Sequence, residues 1–119
     1  MTRILAVDDE PDWLAFAKED LGKSFEVEVA LDLKTTMTML KQKPYDLIIA
    51  GSRCLNVLKV IREKYPQKRV IVATGQPTTR EAIDTYRLGA LDYFTKDFRP
   101  EIISAKINEA LQKPHKILA

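Results

Sequence analysis

The sequence predicts an α/β fold: a doubly wound, five-stranded parallel sheet in the order 2-1-3-4-5, with helices on both faces. Short apolar runs of strand length alternate five times with segments of helical periodicity. Three of these runs show no polar alternation, which is typical of strands buried on both faces. Consecutive parallel strands need right-handed crossovers, so the helices must cover both faces of the sheet.

The five predicted strands differ in expected exposure. Residues 4–7, 47–50 and 69–74 form nearly continuous apolar runs, so we expect three central strands. Residues 25–30 alternate strictly between apolar and polar, which predicts an edge strand with one face in solvent. Residues 91–95 are short and more polar, and they predict the opposite edge.

Caps and breakers delimit the first three helices. The first is predicted to begin at Pro11 and to stop at Gly22, with Trp13 on its surface or at the core edge. Asp32 is a suitable N-cap for the second helix, which Pro44 closes. The third helix begins at residue 55 and extends to Tyr65-Pro66.

The last two helices have equally clear signals. Thr78 and Glu81 match a capping box at the start of the fourth helix, which is predicted to end at Gly89. We expect its apolar residues to point inward: Ala82, Ile83 and Tyr86. Pro100 opens the fifth helix and Pro114 stops it; its predicted inner face carries Ile103, Ile107, Ala110 and Leu111.

Length and composition exclude several classes of protein. The chain has 119 residues, which suits one domain over 1–119, with about 113–119 as a tail or the start of a linker. A net charge of +2 argues against direct nucleic-acid binding. One cysteine and one histidine argue against a disulfide framework or a zinc site. No membrane-length apolar run or signal peptide is evident, so we expect a cytoplasmic protein.

Polar residues follow the predicted strands at the edge where such folds place their chemistry. They are Asp8, Asp9 and Glu10 after the first strand, Gly51, Ser52 and Arg53 after the third, Thr74 after the fourth, and Lys96 after the fifth. Because the carboxyl ends of parallel strands share one edge, we expect these residues to lie close together. Asp46 begins the third strand and should lie at the opposite end.

Over nearly its whole length the chain resembles the receiver domain of two-component response regulators. The matching segments, in order, are residues 4–11 (ILAVDDEP), 45–49 (YDLII), 70–75 (VIVATG) and 88–96 (LGALDYFTK). The resemblance implies a domain that accepts a phosphoryl group from a histidine kinase onto an aspartate after the third strand. By position, Asp8 and Asp9 match the acidic pair that holds Mg²⁺, Thr74 and Lys96 the phosphoryl contacts, and Phe94 the aromatic switch.

The departures from that pattern concern the acceptor. Gly51 stands at the acceptor position, and only Ser52-Arg53-Cys54 separate it from Leu55, so the loop is about five residues shorter than usual. Asp97 follows Lys96 where the family has proline, and a cis bond there would cost roughly 3 kcal/mol, so we expect a trans peptide. We therefore expect an atypical receiver that is not phosphorylated on aspartate and is not an enzyme.

Alternatives remain open at this point. Ser52 lacks a nearby general base, but Asp9 lies at the correct edge, so Mg²⁺-dependent phosphotransfer to an unusual acceptor is one alternative. An engineered or trimmed receiver is another. Asp8 and Asp9 could form a weak Mg²⁺ site, although we favour a metal-free site in which Lys96 neutralises both carboxylates.

The resemblance also implies protein partners: a histidine kinase, an output domain or a downstream effector. In the family, the face of the fourth helix, fifth strand and fifth helix docks partners or forms homodimers. The residues that this face would include here are Ile83, Arg87, Tyr93, Phe94, Ile102 and Lys106.

Overall fold

The structure, a computed structural model, describes residues 1–115. Five parallel strands form one sheet in the order β2-β1-β3-β4-β5, as predicted. The strands are β1 Arg3–Val7, β2 Glu26–Ala30, β3 Leu47–Gly51, β4 Val70–Thr74 and β5 Asp92–Thr95. The helices are α1 Pro11–Glu19, α2 Leu33–Gln42, α3 Leu55–Lys64, α4 Thr79–Arg87 and α5 Pro100–Gln112, with 3-10 turns at Leu21–Lys23 and Ser52–Cys54. Of the predicted tail, residues 116–119 lie outside the described residues.

The sheet separates two apolar layers. On one face, side chains of β1, β3 and β4 pack against α1 and α5. On the other face, the alternate side chains of the same strands pack against α2 and α3. Every residue of β3 and β4 is buried, whereas β2 is the partly exposed edge strand. Burial on both faces explains why the central strands read as continuous apolar runs.

Local signals fix the helix ends. The Asp32 side chain accepts a hydrogen bond from the Thr35 amide, and the Thr78 hydroxyl accepts one from the Glu81 amide, so both predicted N-caps are present. Gly89 has φ of 92° directly after α4, a conformation that favours glycine. The same residue also admits Arg62, whose Cδ would lie 2.9 Å from a Cβ at this position.

Three predictions about the helices are wrong. α1 ends at Glu19, because Leu21, which is buried, begins a 3-10 turn that contains Gly22. Trp13 is 1% exposed, because α1 turns it into the core beside Phe16.

The third wrong prediction concerns α4. Ile83 and Tyr86 are exposed at 41% and 50%, whereas Thr85 is fully buried. The helix therefore packs through a narrow stripe in which a threonine takes the central inward position. Its apolar side chains face outward, so a search for apolar periodicity selects the wrong face.

Candidate functional site

An open polar pocket of about 570 Å³ lies at the carboxyl ends of the strands. Its lining includes seven of the residues expected there: Asp8, Asp9, Glu10, Ser52, Arg53, Thr74 and Lys96. Residues of the β4–α4 connection and of α4 complete it: Gly75, Gln76, Thr78 and Glu81. Asp46 lies at the other end of the sheet, where its carboxylate accepts a hydrogen bond from the Arg3 amide.

Asp8 is the buried anion of the pocket. It follows β1, is 1% exposed, and its amide donates to the Ala30 carbonyl, which continues the β1–β2 ladder. Its Oδ1 accepts a hydrogen bond from the Glu10 amide at 3.0 Å. Within the described residues, Oδ2 accepts no hydrogen bond and lies instead 2.9 Å from the ammonium of Lys96. The negative charge of the buried Asp8 carboxylate is therefore compensated mainly by the ammonium of Lys96.

Lys96 is held where it can meet that anion. Its amide donates to the Thr74 carbonyl at 2.7 Å, which fixes the residue immediately after β5. Its side chain is 7% exposed, and the ammonium lies 2.6 Å from Glu10 Oε1 and 5.6 Å from the centroid of the Trp13 ring. The expected pairing with Asp8 is present, but the second partner of Lys96 is Glu10 rather than the expected Asp9, which pairs with Arg53 instead. The Lys96–Asp97 peptide is trans, as expected.

The close approach of the Asp8 side chain, rather than the backbone angle, favours glycine at position 51. Its φ is −72°, which any residue adopts. A Cβ on this residue would lie 2.7 Å from Asp8 Cγ and closer still to Oδ2. The Asp8 carboxylate thus occupies the space into which a side chain at position 51 would extend.

The connection between β3 and α3 brings a second cation to the pocket. Residues Ser52–Cys54 form a single 3-10 turn that leads directly into α3. From this turn, Arg53 places its Nε 3.5 Å from Asp9 Oδ2 and its Nη2 3.8 Å from Glu10 Oε1. The side chains of Arg53 and Asp9 are 69% and 49% exposed, so this outer ion pair is in contact with solvent.

The residues present do not fit a Mg²⁺ site. Mg²⁺ favours near-octahedral oxygen ligands that include one or two carboxylates. Here both oxygens of Asp8 are engaged, by the Glu10 amide and by Lys96, and Asp9 faces Arg53. Gly51 offers no side-chain ligand. Across residues 1–115, no group of three or more His, Cys, Asp or Glu side chains is placed to hold a metal ion.

Thr74 and the two aromatic residues of β5 occupy different environments. Thr74 is 2% exposed, and its hydroxyl accepts a hydrogen bond from the Gln76 amide at 3.2 Å. The Tyr93 hydroxyl donates to Glu81 and accepts from the Thr78 amide at 3.2 Å, which joins β5 to the start of α4. Burial, together with the Glu81 hydrogen bond, raises the pKa of Tyr93.

Phe94 does not take part in that network. Successive residues of a strand point to opposite faces, so Phe94 lies in the layer against α1 and α5, with Lys106 Nζ 5.6 Å from its ring centroid. Phe94, which we expected to be the aromatic switch, thus lies in the layer opposite the Tyr93 hydroxyl, and its role as a switch stays a prediction. The hydroxyl of Tyr93 contacts Glu81 and Thr78, which line the pocket at the start of α4.

Cys54 is a packing residue at this edge. It is 7% exposed, and burial raises the pKa of its thiol, with further contributions from the nearby Asp8 and Asp9. A neutral buried thiol is a poor nucleophile. Arg53, Glu10 and Tyr93 were all named from the sequence, but their contacts were not: Arg53 pairs with Asp9, Glu10 with Lys96, and Tyr93 links β5 to α4. The available signal for the contacts of Arg53 was a basic residue soon after β3, at the edge where the acidic residues after β1 also lie.

The predicted interaction face is exposed at its two isoleucines. Ile83 and Ile102 are 41% and 38% exposed, and Arg87 is also exposed. Lys106 Nζ lies 3.6 Å from Asp92 Oδ2, which connects α5 to β5. The residues named for this face thus differ: Phe94 is buried, whereas the two isoleucines are accessible.

Comparisons with known proteins point to one family. The family profile described as the response regulator receiver domain matches residues 4–108. A putative NtrX-like response regulator of Rickettsia bellii is 30% identical over 119 residues, covering 92% of this chain and 24% of that protein. The acid tolerance regulatory protein ActR of Rhizobium meliloti is 30% identical over 117 residues, covering 93% of this chain and 59% of that protein. The chain spans 24% to 25% of the length of the NtrX-like relatives of R. bellii, R. conorii and R. felis.

Solved structures share the fold. A response regulator from Thermotoga maritima superposes with a TM-score of 0.86 at 24% identity, covering 95% of this chain and 99% of that one. Response regulator TrrA of the same organism, solved in complex with Mg²⁺-BeF, gives a TM-score of 0.79 at 27% identity, covering 92% and 99%. Within residues 1–115, no helix is long and apolar enough to cross a membrane.

Proposed function

Because the chain belongs to the response regulator receiver family, we propose that it is a receiver module of two-component signalling that works without phosphorylation of an aspartate. Its output is contact with other proteins. We also propose that residues 1–119 form one receiver domain, of which about 113–119 are a tail or the start of a linker.

One observation carries this proposal: the Asp8 carboxylate lies over Gly51 and is paired with Lys96. Glycine has no side chain that could attack phosphorus. The space for an acceptor carboxylate is filled by Asp8, whose charge is already neutralised by the lysine that would otherwise contact a phosphoryl group. Position 51 therefore lacks both a nucleophilic side chain and the space for one.

The charge of the pocket gives further support. Four carboxylates line it, from Asp8, Asp9, Glu10 and Glu81, against two cations, Lys96 and Arg53. A phosphoryl group would add negative charge to a pocket that already has an excess of it. Like charges at such short range oppose one another unless a metal or further cation intervenes.

The surface that would transmit the signal is the face of α4, β5 and α5. Ile83 and Ile102 expose apolar side chains there, beside Arg87 and the Lys106–Asp92 ion pair. Exposed apolar residues with a charged border suit a protein partner. Histidine kinases, output domains and effectors are the partner classes that receiver domains contact, and a second copy of the chain is also a candidate.

Without a phosphoryl group, the balance between conformations must be set by the chain itself or by a partner. A ligand shifts a two-state equilibrium only through different affinities for the two states. Here Tyr93 is already hydrogen-bonded to α4 through Glu81 and Thr78. We take this bonded arrangement to be the state that partners encounter.

The test is the intact mass of the protein after incubation with acetyl phosphate and Mg²⁺. TrrA, which was solved with Mg²⁺-BeF, serves as the control receiver. We expect phosphoryl mass on TrrA and none on this chain. A hydroxylamine-labile phosphoryl group on this chain would refute the proposal, and Asp9, the exposed carboxylate of the pocket, would be the first acceptor to substitute.

A further inference from the structure

We infer that Lys96 and Arg53 together take the place of a divalent cation in the pocket, so that the chain neither needs Mg²⁺ nor responds to it. The inference deepens the proposed function and rests on it, because a pocket closed to phosphoryl transfer has no use for a metal. It differs from the sequence-based hypothesis, in which Lys96 alone neutralises Asp8 and Asp9.

The inner cation is Lys96. Its ammonium lies 2.9 Å from Asp8 Oδ2 and 2.6 Å from Glu10 Oε1, so it bridges two carboxylates that belong to the same β1–α1 connection. Bridging of carboxylates at short range is what a bound metal ion would do there. With a side chain only 7% exposed, Lys96 cannot leave without uncovering the Asp8 charge.

The outer cation is Arg53. It reaches Asp9 at 3.5 Å and Glu10 at 3.8 Å, so Glu10 lies between the two cations. The 3-10 turn at Ser52–Cys54 places Arg53 two residues after Gly51. Loss of the acceptor side chain and shortening of the loop therefore act in the same direction. One removes an anion from the pocket and the other brings in a cation.

A metal ion would have to displace both cations. To gain Asp8 as a ligand it must break the buried pair with Lys96, and to gain Asp9 it must displace Arg53. It would also do so without a side-chain ligand from position 51. Hard divalent cations are held by several oxygen ligands, and each displaced ion pair subtracts from the affinity.

The chain contains its own reporter for this site. Trp13 is the single tryptophan of the sequence, is 1% exposed, and has Lys96 Nζ 5.6 Å from its ring centroid. Displacement of the ammonium would change the surroundings of the indole ring. Tryptophan fluorescence therefore follows Lys96 without any added label.

The experiment is a titration with Mn²⁺, an ion that accepts the same oxygen ligands as Mg²⁺, followed by Trp13 fluorescence and by calorimetry. We compare the wild-type chain with Arg53→Gln, Lys96→Met and the double variant. The matched control is Arg80→Gln, because Arg80 forms an exposed ion pair with Asp84 outside the pocket. Circular dichroism confirms that each variant is folded.

For the wild type and Arg80→Gln, we expect no saturable response at roughly 1 mM Mn²⁺, the weak end of protein sites for hard divalent ions. The double variant should bind in that range, and Arg53→Gln alone should strengthen the apparent affinity up to about fivefold, the limit for an exposed ion pair. Saturable binding by the wild type would overturn the inference. If no folded variant bound Mn²⁺ more tightly than the wild type, the inference would also be overturned. The missing ligand at position 51 would then suffice to exclude the metal. Arg53 is exposed, so Arg53→Gln remains informative even if Lys96→Met unfolds.

Failure of this inference is distinguishable from failure of the proposed function. Mn²⁺ binding by the wild type without phosphoryl mass would overturn the replacement of the metal and leave the unphosphorylated receiver intact. Phosphoryl mass on the wild type would overturn the proposed function whatever the Mn²⁺ titration shows.

Discussion

Two ion pairs share one pocket and differ mainly in burial. Lys96 and Asp8 are 7% and 2% exposed at their side chains, whereas Arg53 and Asp9 are 69% and 49% exposed. In both pairs the aspartate belongs to the β1–α1 connection, whereas Lys96 follows β5 and Arg53 follows β3. The inner pair holds its partners at 2.9 Å, and the outer pair at 3.5 Å.

The difference shows which pair the fold depends on. An exposed pair is solvated whether or not it forms, so it contributes little to stability. A buried pair is costly to assemble but far more costly to break, because the remaining charge has no solvent around it. We therefore expect the inner pair to stabilise the fold, and the outer pair mainly to reduce the negative charge of the pocket.

The largest expected effect comes from Lys96→Met, which keeps most of the volume of the side chain and removes its charge. Breaking a buried pair costs about 3 kcal/mol or more, so we expect a loss of that order in the free energy of unfolding. Urea denaturation followed by circular dichroism measures it. Lys59→Met, on the exposed side of α3, is the matched control and should stay within about 0.5 kcal/mol of the wild type. A loss below about 1 kcal/mol in Lys96→Met would mean that the buried charge of Asp8 is compensated in another way.

Gly51→Ala should have the next largest effect. The new Cβ would lie 2.7 Å from Asp8 Cγ, so Asp8 must shift away from Lys96, at a cost of about 1–3 kcal/mol. The control is Gly22→Ala, where a Cβ meets no atom within 4 Å. Thermal unfolding of the two variants checks the prediction. Equal melting temperatures would show that Asp8 can move without loss, and the close packing over Gly51 would then be unimportant.

Arg53→Gln should change stability by less than about 1 kcal/mol, since the pair with Asp9 is exposed. A double-mutant cycle with Asp9→Asn isolates the coupling between the two side chains. A coupling comparable to that of the inner pair would remove the distinction between the two pairs. Because exposed pairs are screened by salt, the coupling should also decrease at high ionic strength.

Gly51→Asp should have no effect on phosphoryl labelling. The new carboxylate would compete with Asp8 for one space and one lysine, and the turn that follows it still places Arg53 beside Asp9. Intact mass after incubation with acetyl phosphate and Mg²⁺ checks this. Efficient labelling of the variant would show that the acceptor side chain alone was missing.

Much of the fold follows from the sequence because its signals are local. The continuous apolar runs, the caps at Asp32 and Thr78, and the glycine after α4 are each read from a few neighbouring residues, and the structure contains all of them. α4 was misread at Ile83 and Tyr86 because burial depends on which stripe meets the sheet. Apolar character alone does not determine that stripe.

The sequence predicted which residues lie at the site, but not which of them form ion pairs with one another. Strand order brings Asp8, Asp9, Thr74 and Lys96 to one edge, and this follows from topology alone. The partners of Lys96 depend on where long side chains end, which spacing does not specify, so Glu10 replaced Asp9 as its second partner. The sequence suggests Phe94 as the aromatic residue of the site, whereas Tyr93 is the one that contacts α4. Adjacent residues of a strand face opposite sides of the sheet, so an error of one position selects the wrong face.

A crystal structure grown with Mg²⁺ and beryllium fluoride, the additions with which TrrA was solved, tests the central claim most directly. We predict Lys96 Nζ still within ion-pair distance of Asp8 and Glu10, Arg53 still beside Asp9, and no ion in the pocket. A metal ion bound by Asp8 and Asp9, with Lys96 turned away from them, would contradict the account.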